Sequence, residues 1–310
     1  MIGNLSHIPL QKVEIPVLTG EKIKLFVLRL DVIDQYAGGN KYFKLKYNLE
    51  EAQKQGHSKI LTFGGAWSNH LAAVAASRQL AVNSKQPDVI AVVRGEEPAK
   101  LSDTLKFCKE RGMQLHFVSR EDYRKKNEPE FINELKNKFG DFYLLPEGGS
   151  NELAVKGCKE ILNYINIDFD YLCCPVGSGG TLAGIASGLK EHQKAIGFVA
   201  LKGGEYLEDV VAKLITPPPA AGQTSPLKGE KYISFELIQE YHFGGFAKAT
   251  SELIAFKKEF EKQNGFELDY VYTSKMFYGN YDLIKKDFFK PGSTIVAIHT
   301  GGLQGNKGFE

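Results

Sequence analysis

A lysine directly follows two glycines and an asparagine at the start of an amphipathic segment. Gly38-Gly39-Asn40-Lys41 precedes residues 42–52, which carry apolar side chains at helical spacing. Asn40 is a suitable N-cap, so we expect the helix to begin at Lys41. Glycines let the backbone approach a flat ligand, and partial burial would lower the pKa of the Lys41 amine and make it a nucleophile toward an aldehyde. For this segment alone, an ordinary helix with solvated lysines is the simpler interpretation.

A second candidate site follows a predicted strand that ends in glycines. In Thr62-Phe63-Gly64-Gly65-Ala66-Trp67-Ser68-Asn69-His70, Ser68 is the expected cap of a helix rich in small residues. The free N–H groups at this helix start, together with the Ser68 hydroxyl, could bind a carboxylate, and Asn69 could donate to a phenolate oxygen. A capped helix that only packs on a sheet explains the same residues.

A third segment joins a predicted strand to a helix through a glycine loop. Gly177-Ser178-Gly179-Gly180-Thr181 follows the strand, and a helix is expected over Leu182–Leu189. Consecutive N–H groups at a helix start bind phosphate, and glycine permits a close approach. A P-loop needs lysine where Gly180 stands, and a dinucleotide fingerprint needs glycine or alanine where Leu182 stands. A cradle for a monophosphate remains.

Composition limits the class of protein. The 310 residues can form two α/β domains, and a net charge of +2 without a basic aromatic stripe argues against nucleic acid as a partner. The chain shows no signal-peptide pattern and no apolar run of membrane-spanning length, so we expect a cytoplasmic protein without membrane association. We predict no metal site. The cysteines lack framework spacing and are expected to be reduced core thiols; they are Cys108, Cys158, Cys173 and Cys174.

Short apolar runs alternate with amphipathic stretches of helix length, a pattern typical of parallel βαβ units. The predicted strands are Lys59–Phe63, Val89–Val93, Leu115–Val118, Phe142–Leu145, Tyr171–Cys174, Gly197–Leu201, Tyr270–Tyr272 and Thr294–His299. Adjacent Cys173 and Cys174 should face opposite sides of their strand. The proline-rich stretch over residues 216–226 is predicted to be a mobile surface insertion.

Six motifs occur in the order found in one enzyme family. They are Gly38-Gly39-Asn40-Lys41, Trp67-Ser68-Asn69-His70, Pro146-Glu147-Gly148-Gly149-Ser150-Asn151, Gly177-Ser178-Gly179-Gly180-Thr181, Val271-Tyr272-Thr273 and His299-Thr300-Gly301-Gly302. On these motifs the chain resembles the 1-aminocyclopropane-1-carboxylate deaminase and D-cysteine desulfhydrase family, among the fold type II (tryptophan-synthase β-like) enzymes that use pyridoxal 5'-phosphate. The resemblance covers nearly the whole chain, apart from the first residues and the proline-rich stretch.

The resemblance implies an α/β fold of two domains, each a mostly parallel twisted sheet flanked by helices. Residues 51–150 would form the small domain, and residues 1–50 together with 151–310 the large cofactor-binding domain. A small amino acid is the implied substrate and a homodimer the implied assembly.

Cofactor-binding roles follow from the resemblance at matching positions. Lys41 would carry pyridoxal phosphate as a Schiff base, Asn69 would contact its 3-hydroxyl oxygen, and Thr273 would face its pyridine nitrogen. The phosphate group would be bound by Lys44, Val176, Gly177, Ser178, Gly179, Gly180 and Thr181.

The resemblance also implies the catalytic residues, which are Lys41, Ser68 and Tyr272. Ser68 and neighbouring amides would hold the substrate carboxylate, and Tyr272 would donate a proton. The implied substrate-binding set is Ser68, Asn69, His70, Phe246 and Tyr272.

Two positions separate the branches of this family. Ring-opening members resemble a pattern with glutamate after the tyrosine, where this chain has Thr273. A carboxylate would keep the pyridine nitrogen protonated and the ring a strong electron sink; a hydroxyl would not, which suits β-elimination. Both branches normally carry a second tyrosine 26 residues before the first, where this chain has Phe246, and nearby Tyr241 could supply the missing hydroxyl.

These positions favour β-elimination of the kind catalysed by D-cysteine desulfhydrase, which gives pyruvate, ammonia and sulfide. Within the family, the alternative is a 1-aminocyclopropane-1-carboxylate deaminase. From another class, a noncatalytic α/β protein that binds phosphate or an amino acid is the alternative. The handedness of the substrate depends on which face of the Schiff base Lys41 meets.

Overall fold

The computed structural model describes residues 5, 7–14, 23–77, 87–216 and 234–309. The strands in these ranges are β1 (Leu10–Lys12), β2 (Lys24–Arg29), β3 (Lys59–Gly64), β4 (Asp88–Arg94), β5 (Gln114–Val118), β6 (Tyr143–Leu144), β7 (Tyr171–Val176), β8 (Lys194–Val199), β9 (Phe235–Ile238) and β10 (Thr294–His299). The α-helices are α1 (Asn40–Lys54), α2 (Asn69–Ser77), α3 (Asp103–Glu110), α4 (Arg120–Arg124), α5 (Pro129–Phe139), α6 (Glu152–Lys159), α7 (Gly180–Ala186), α8 (Leu207–Ile215), α9 (Ser251–Asn264) and α10 (Thr273–Lys285).

The strands form two sheets. The larger has the order β1-β2-β10-β7-β8-β9, with β1 and β2 antiparallel and each other neighbouring pair parallel. The smaller has the order β5-β4-β3-β6 and is parallel throughout. Helices connect the parallel strands and cover the sheets, so the predicted α/β architecture of two mostly parallel sheets flanked by helices is confirmed.

The apolar core lies on both faces of each sheet. Cys173 packs with Phe198 and Phe277 in one cluster, whereas Cys174 packs with Leu172 and Val176 in another, as expected for adjacent residues of a strand. Each of the four cysteines is buried and forms no disulfide. The predicted core thiols are therefore confirmed.

Most predicted strands occur, although their ends differ by a few residues. The prediction of Gly197–Leu201 is shifted, since β8 spans Lys194–Val199. Tyr270–Tyr272 is not a strand: the Asp269 side chain accepts hydrogen bonds from the N–H groups of residues 271–273, and α10 begins at Thr273. Strands β1, β2 and β9 were missed.

Two helix starts differ from prediction. Helix α1 begins at Asn40 and its cap is Gly39, with φ of 61°, so the prediction of Asn40 as the cap is wrong. Helix α7 begins at Gly180 and ends at Ala186, earlier at both ends than predicted. Ser68 does accept from the Leu71 N–H, at 3.3 Å, next to the start of α2, as predicted.

Two predictions meet the limits of the described ranges. The proline-rich insertion predicted over residues 216–226 lies outside the described residues from position 217 onward. Across the ranges that are described, no helix combines the length and apolar character needed to cross a bilayer.

Candidate active site

The two glycines before Lys41 are required by close packing of the chain on itself. A Cβ on Gly38 would lie 2.1 Å from the carbonyl oxygen of Asp34, and one on Gly39 would lie 2.0 Å from that of Thr300. Either methyl group would clash with backbone. The glycines therefore fix the start of α1 against the end of β10, and the close approach expected for a ligand is made by the chain itself.

The Lys41 amine lies half-buried at this helix start. Its Nζ donates to Asn40 Oδ1 at 3.0 Å. Burial lowers the pKa of Lys41 to about 7, and the neighbouring Lys44 charge acts in the same direction. A large share of this amine is therefore neutral near pH 7 and can react with an aldehyde or accept a proton.

Lys44 is a buried cation surrounded by oxygens that carry no full charge. Its Nζ donates to Ser150 Oγ at 2.7 Å, to the Gly148 carbonyl at 3.1 Å and to Ser178 Oγ at 3.2 Å. No carboxylate among the described residues forms an ion pair with this ammonium, which is only 2% exposed. Because a buried charge is stable when paired, this arrangement is suited to an anion.

The glycine loop completes a cradle beside Lys44. Gly179 has φ of 78° and precedes Gly180, the first residue of α7. A Cβ on Gly180 would lie 2.8 Å from Ser150 Oγ and 3.3 Å from Lys44 Nζ. The space at this helix start is therefore large enough for a ligand only because Gly180 has no side chain.

The structure brings some of the predicted phosphate residues together and gives others different contacts. Lys44, Ser178 and Gly180 surround the cradle. Thr181 accepts from Asn40 Nδ2 at 2.8 Å, Val176 is a buried core residue, and a Cβ on Gly177 would touch the Tyr272 ring at 3.1 Å. Ser150 had no predicted role, although the motif that contains it was recognised.

The predicted carboxylate site lies at the start of α2. His70 is buried, and its Nε2 lies 2.8 Å from Thr62 Oγ1 while its Nδ1 has no partner. Burial, together with Lys41 and Lys44, lowers the pKa of His70 well below its usual value, so the ring is neutral. Asn69 Oδ1 is also buried without a partner. These two orphaned atoms are available to a ligand.

Tyr272 and Phe246 form an aromatic pair opposite the glycine loop. Their ring centroids lie 6.0 Å apart in an edge-to-face arrangement, and Phe246 remains 46% exposed. Burial, followed by the charges of Asp269 and Glu147, raises the pKa of Tyr272, so its phenol stays protonated. It can therefore donate a proton but is not a base at neutral pH.

Tyr241 does not supply the hydroxyl that Phe246 lacks. Its OH donates to Asp282 Oδ2 at 2.7 Å, and its ring packs in the core with Phe198. The expectation that Tyr241 could substitute is wrong for this arrangement.

Thr273 is fully buried at the start of α10, and its hydroxyl donates to Asp269 Oδ2 at 2.6 Å. Asp269 was missed by the sequence analysis. The sequence signal that could have found it is an aspartate four residues before the first residue of a helix. From this position a carboxylate can accept hydrogen bonds from the free N–H groups at the helix start.

The fold is a mostly parallel α/β fold, and in it a lysine of lowered pKa lies near an anion cradle at a helix start. This combination is typical of enzymes that hold a phosphorylated aldehyde through a lysine. The chain belongs to the pyridoxal-phosphate dependent enzyme family, whose profile matches residues 7–301.

Relatives of known name extend over most of the chain. A putative 1-aminocyclopropane-1-carboxylate deaminase of Thermotoga maritima is 32% identical over 91% of this chain and 89% of its own length. A mitochondrial bifunctional D-cysteine desulfhydrase/1-aminocyclopropane-1-carboxylate deaminase of Arabidopsis thaliana is 31% identical over 97% of this chain and 78% of its own. A solved structure of an ACC deaminase homologue superposes with a TM-score of 0.77 at 29% identity, covering 96% of this chain and 90% of that one. The chain is therefore a pyridoxal-phosphate-dependent lyase or deaminase.

The described residues fit this cofactor. The neutral Lys41 amine suits its aldehyde, the cradle that a methyl group on Gly180 would fill suits its phosphate, and the orphaned Asn69 and His70 atoms suit polar groups nearby. Among the residues with described positions, no cluster of three or more histidine, cysteine or acidic side chains could hold a metal ion.

Proposed function

We propose that this enzyme eliminates the β-substituent of a small amino acid and that D-cysteine is its preferred substrate, giving pyruvate, ammonia and sulfide. The observation that carries the proposal is the half-buried Lys41 amine. Its pKa is lowered to about 7, and it is near the cradle that Lys44 lines. The D-cysteine assignment draws on the relatives named above and on Phe246.

Residues of the chain divide the work around the bound cofactor. Pyridoxal phosphate, when bound, supplies an electron sink that makes the α-hydrogen of an amino acid acidic. Lys44, Ser150, Ser178 and the start of α7 would hold its phosphate, with Asn69 and Thr273 near its ring. Lys41, a large share of which is neutral near pH 7, is the base for the α-hydrogen.

Substrate binding falls to the start of α2. The Ser68 hydroxyl and the N–H groups of Asn69 and His70 would hold the carboxylate. Tyr272 stays protonated and can give a proton to the departing group or to the product.

The choice between elimination and ring opening rests on Phe246. 1-Aminocyclopropane-1-carboxylate has no α-hydrogen, so its ring must be opened with the help of an acid or base near the ring carbons. Phe246 offers no hydroxyl beside Tyr272, and the Tyr241 hydroxyl is bound to Asp282. Elimination from D-cysteine needs less help because thiolate leaves readily and Lys41 can act as the base.

We further propose a small domain of residues 51–150, a large domain of residues 1–50 with 151–310, a homodimeric assembly and a cytoplasmic location. The sheet β5-β4-β3-β6 falls within the first range, although residue 51 lies inside α1. Four buried reduced thiols support a reducing compartment.

The test is a substrate screen on the purified, cofactor-loaded protein. D-cysteine, L-cysteine, other D- and L-amino acids and 1-aminocyclopropane-1-carboxylate are compared by release of 2-oxo acid. We expect the highest kcat/KM for D-cysteine and no turnover by Lys41→Ala, which should keep its circular dichroism spectrum. Faster turnover of the cyclopropane would assign the enzyme to the other branch. Absence of 2-oxo acid from each amino acid would favour a noncatalytic binding protein.

A further inference from the structure

A buried asparagine one helical turn after Lys44 uses every hydrogen-bonding group of its side chain. Asn48 lies on α1 and is fully buried. Its Oδ1 accepts from Asn151 Nδ2 at 2.7 Å and from the Tyr143 hydroxyl at 3.0 Å. Its Nδ2 donates to Asn151 Oδ1 at 3.1 Å and to the Lys44 carbonyl at 2.7 Å. An amide has two lone pairs on its oxygen and two N–H groups, so a side chain without an amide would leave some of these partners unsatisfied.

The other member of this amide pair, Asn151, ends the segment that leads from the smaller sheet to α6. This crossing segment, residues 145–151, follows β6, and Gly148 within it has φ of 69°. Asn151 also caps α6, since its Oδ1 accepts from the Ala154 N–H at 3.0 Å. The pairing of Asn151 with Asn48 therefore fastens the end of the crossing segment to α1.

The crossing segment supplies two of the oxygens that surround the Lys44 ammonium. Ser150, the residue before Asn151, accepts from Lys44 Nζ at 2.7 Å, and the Gly148 carbonyl accepts at 3.1 Å. Ser150 Oγ also lies 2.6 Å from Ser178 Oγ of the glycine loop. Lys44 and Ser150 are therefore fixed relative to each other twice, directly through the ammonium and again through the amide pair next to them.

We propose that Asn48 and Asn151 are positioning residues: their amide pair holds Ser150 against Lys44 and so sets the affinity of the cradle for the phosphate group of the cofactor. The inference rests on the proposed function, since it needs pyridoxal phosphate in this site. An ammonium and a hydroxyl bind a phosphate best when they are already oriented toward it. Without the pair, the crossing segment would have to be ordered when the ligand binds, which weakens binding.

The experiment separates the phosphate group from the rest of the cofactor. Dissociation constants of pyridoxal phosphate and of unphosphorylated pyridoxal are measured from the absorbance of the adduct that each aldehyde forms with cofactor-free protein. In Asn48→Leu and in Asn151→Ser, we expect the constant for pyridoxal phosphate to rise by roughly tenfold and that for pyridoxal to stay within about twofold. A role in stability alone would change both constants together.

The matched control is Tyr143→Phe, which removes one hydrogen bond to Asn48 but leaves the amide pair, and which should bind both aldehydes like the wild type. Serine caps helices well, so Asn151→Ser should keep α6 and decides the matter if Asn48→Leu does not fold. Equal losses for the two aldehydes, an unchanged constant for pyridoxal phosphate, or the same phosphate-specific loss in Tyr143→Phe would overturn the inference while leaving the proposed function intact. Failure of the wild type to bind either aldehyde would instead overturn the proposed function itself.

Discussion

The side-chain amide of Asn40 donates to the hydroxyl of Thr181 across 2.8 Å, although the two residues lie 141 positions apart. The same Asn40 side chain accepts from Lys41 Nζ through its oxygen. One buried residue therefore joins the reactive amine to the glycine loop that borders the anion cradle. Asn40 does not cap α1 because it is the first residue of the helix, and its side-chain oxygen accepts from Lys41 Nζ instead of a helix N–H.

The Asn40–Thr181 hydrogen bond should be visible as a coupling free energy. Asn40→Ala or Thr181→Val leaves a buried partner unsatisfied, so each should lower the free energy of unfolding by about 1–3 kcal/mol. The double variant should lose less than the sum, by about 0.5 kcal/mol or more. Urea unfolding of the four proteins measures this. Strict additivity would show that the contact carries no stability.

The lowered pKa of Lys41 predicts the pH dependence of its reaction with an aldehyde. In cofactor-free protein, the rate of adduct formation with unphosphorylated pyridoxal should rise with pH through a midpoint of about 7 and level above it, once nearly all of the amine is neutral. Lys44→Met removes the neighbouring charge that, together with burial, lowers this pKa. The midpoint of the rate-against-pH curve should therefore lie at higher pH in this variant. Stopped-flow absorbance measures both proteins, with Lys41→Ala as the blank. A rate that keeps rising with pH until about the ordinary lysine pKa of 10.5 would contradict the lowered pKa of this amine.

Gly180 should be essential for cofactor affinity but not for folding. In Gly180→Ala the new methyl would lie 2.8 Å from Ser150 Oγ, inside the cradle, while alanine is the better helix former. We expect the dissociation constant for pyridoxal phosphate to rise by roughly tenfold or more, equivalent to about 1.4 kcal/mol, while the protein still folds, because Ser150 Oγ can rotate away from the new methyl. Fluorescence titration checks the affinity. The matched control is Gly65→Ala, where the methyl meets only the Arg94 side chain at 3.4 Å.

Sequence patterns correctly predicted the strands that are buried on both faces and the site residues that lie next to glycines in short motifs. Strands β3, β4, β7 and β10 are continuous apolar runs, and their positions follow from burial alone. The aromatic run over residues 270–272 was misread because the hydrogen bonds to Asp269 outweigh the strand preference of tyrosine and valine.

The site was predicted in part for the same reason. Lys41, Lys44 and Gly180 lie in short motifs whose spacing can be read locally. Ser150 and Asp269 acquire their roles from what the folded chain brings to them: Ser150 meets a lysine 106 residues away, and Asp269 meets the hydroxyl of a helix whose start was not foreseen. No local spacing encodes such contacts.

Lys275 should hold the loop that carries Phe246. Its buried Nζ donates to the Gly245 carbonyl at 2.8 Å, in a loop where Phe243 and Ala247 both have positive φ. Lys275→Met removes this bond, so the loop should loosen and KM for the amino acid should rise severalfold, with a smaller change in kcat. Lys248→Met, at an exposed position of the same loop, is the control and should change neither.

Lys275 also predicts a pH dependence of stability. Burial lowers its pKa to about 8 from the ordinary 10.5, so between these values the unfolded chain binds more protons than the folded one. Stability from this residue therefore rises with pH in that window. The difference in unfolding free energy between wild type and Lys275→Met should grow from pH 8 to pH 10 in urea titrations. A constant difference would show that Lys275 is not perturbed.

Phe246→Tyr should increase ring-opening activity more than elimination. The new hydroxyl would be carried by a ring that already meets the Tyr272 ring edge to face, with 6.0 Å between the two ring centroids. A well-placed acid–base group contributes on the order of a hundredfold in rate, and even an imperfect one should raise 2-oxobutanoate release from 1-aminocyclopropane-1-carboxylate by about tenfold. Pyruvate release from D-cysteine should change less, because Lys41 removes the α-hydrogen and thiolate needs little assistance. Both products are measured on one preparation of each protein, with Phe246→Leu as the control for a change of shape without a hydroxyl. If the wild type already turns over the cyclopropane faster than D-cysteine, or if Phe246→Tyr and Phe246→Leu behave alike, then the missing hydroxyl is not what separates the two reactions in this enzyme.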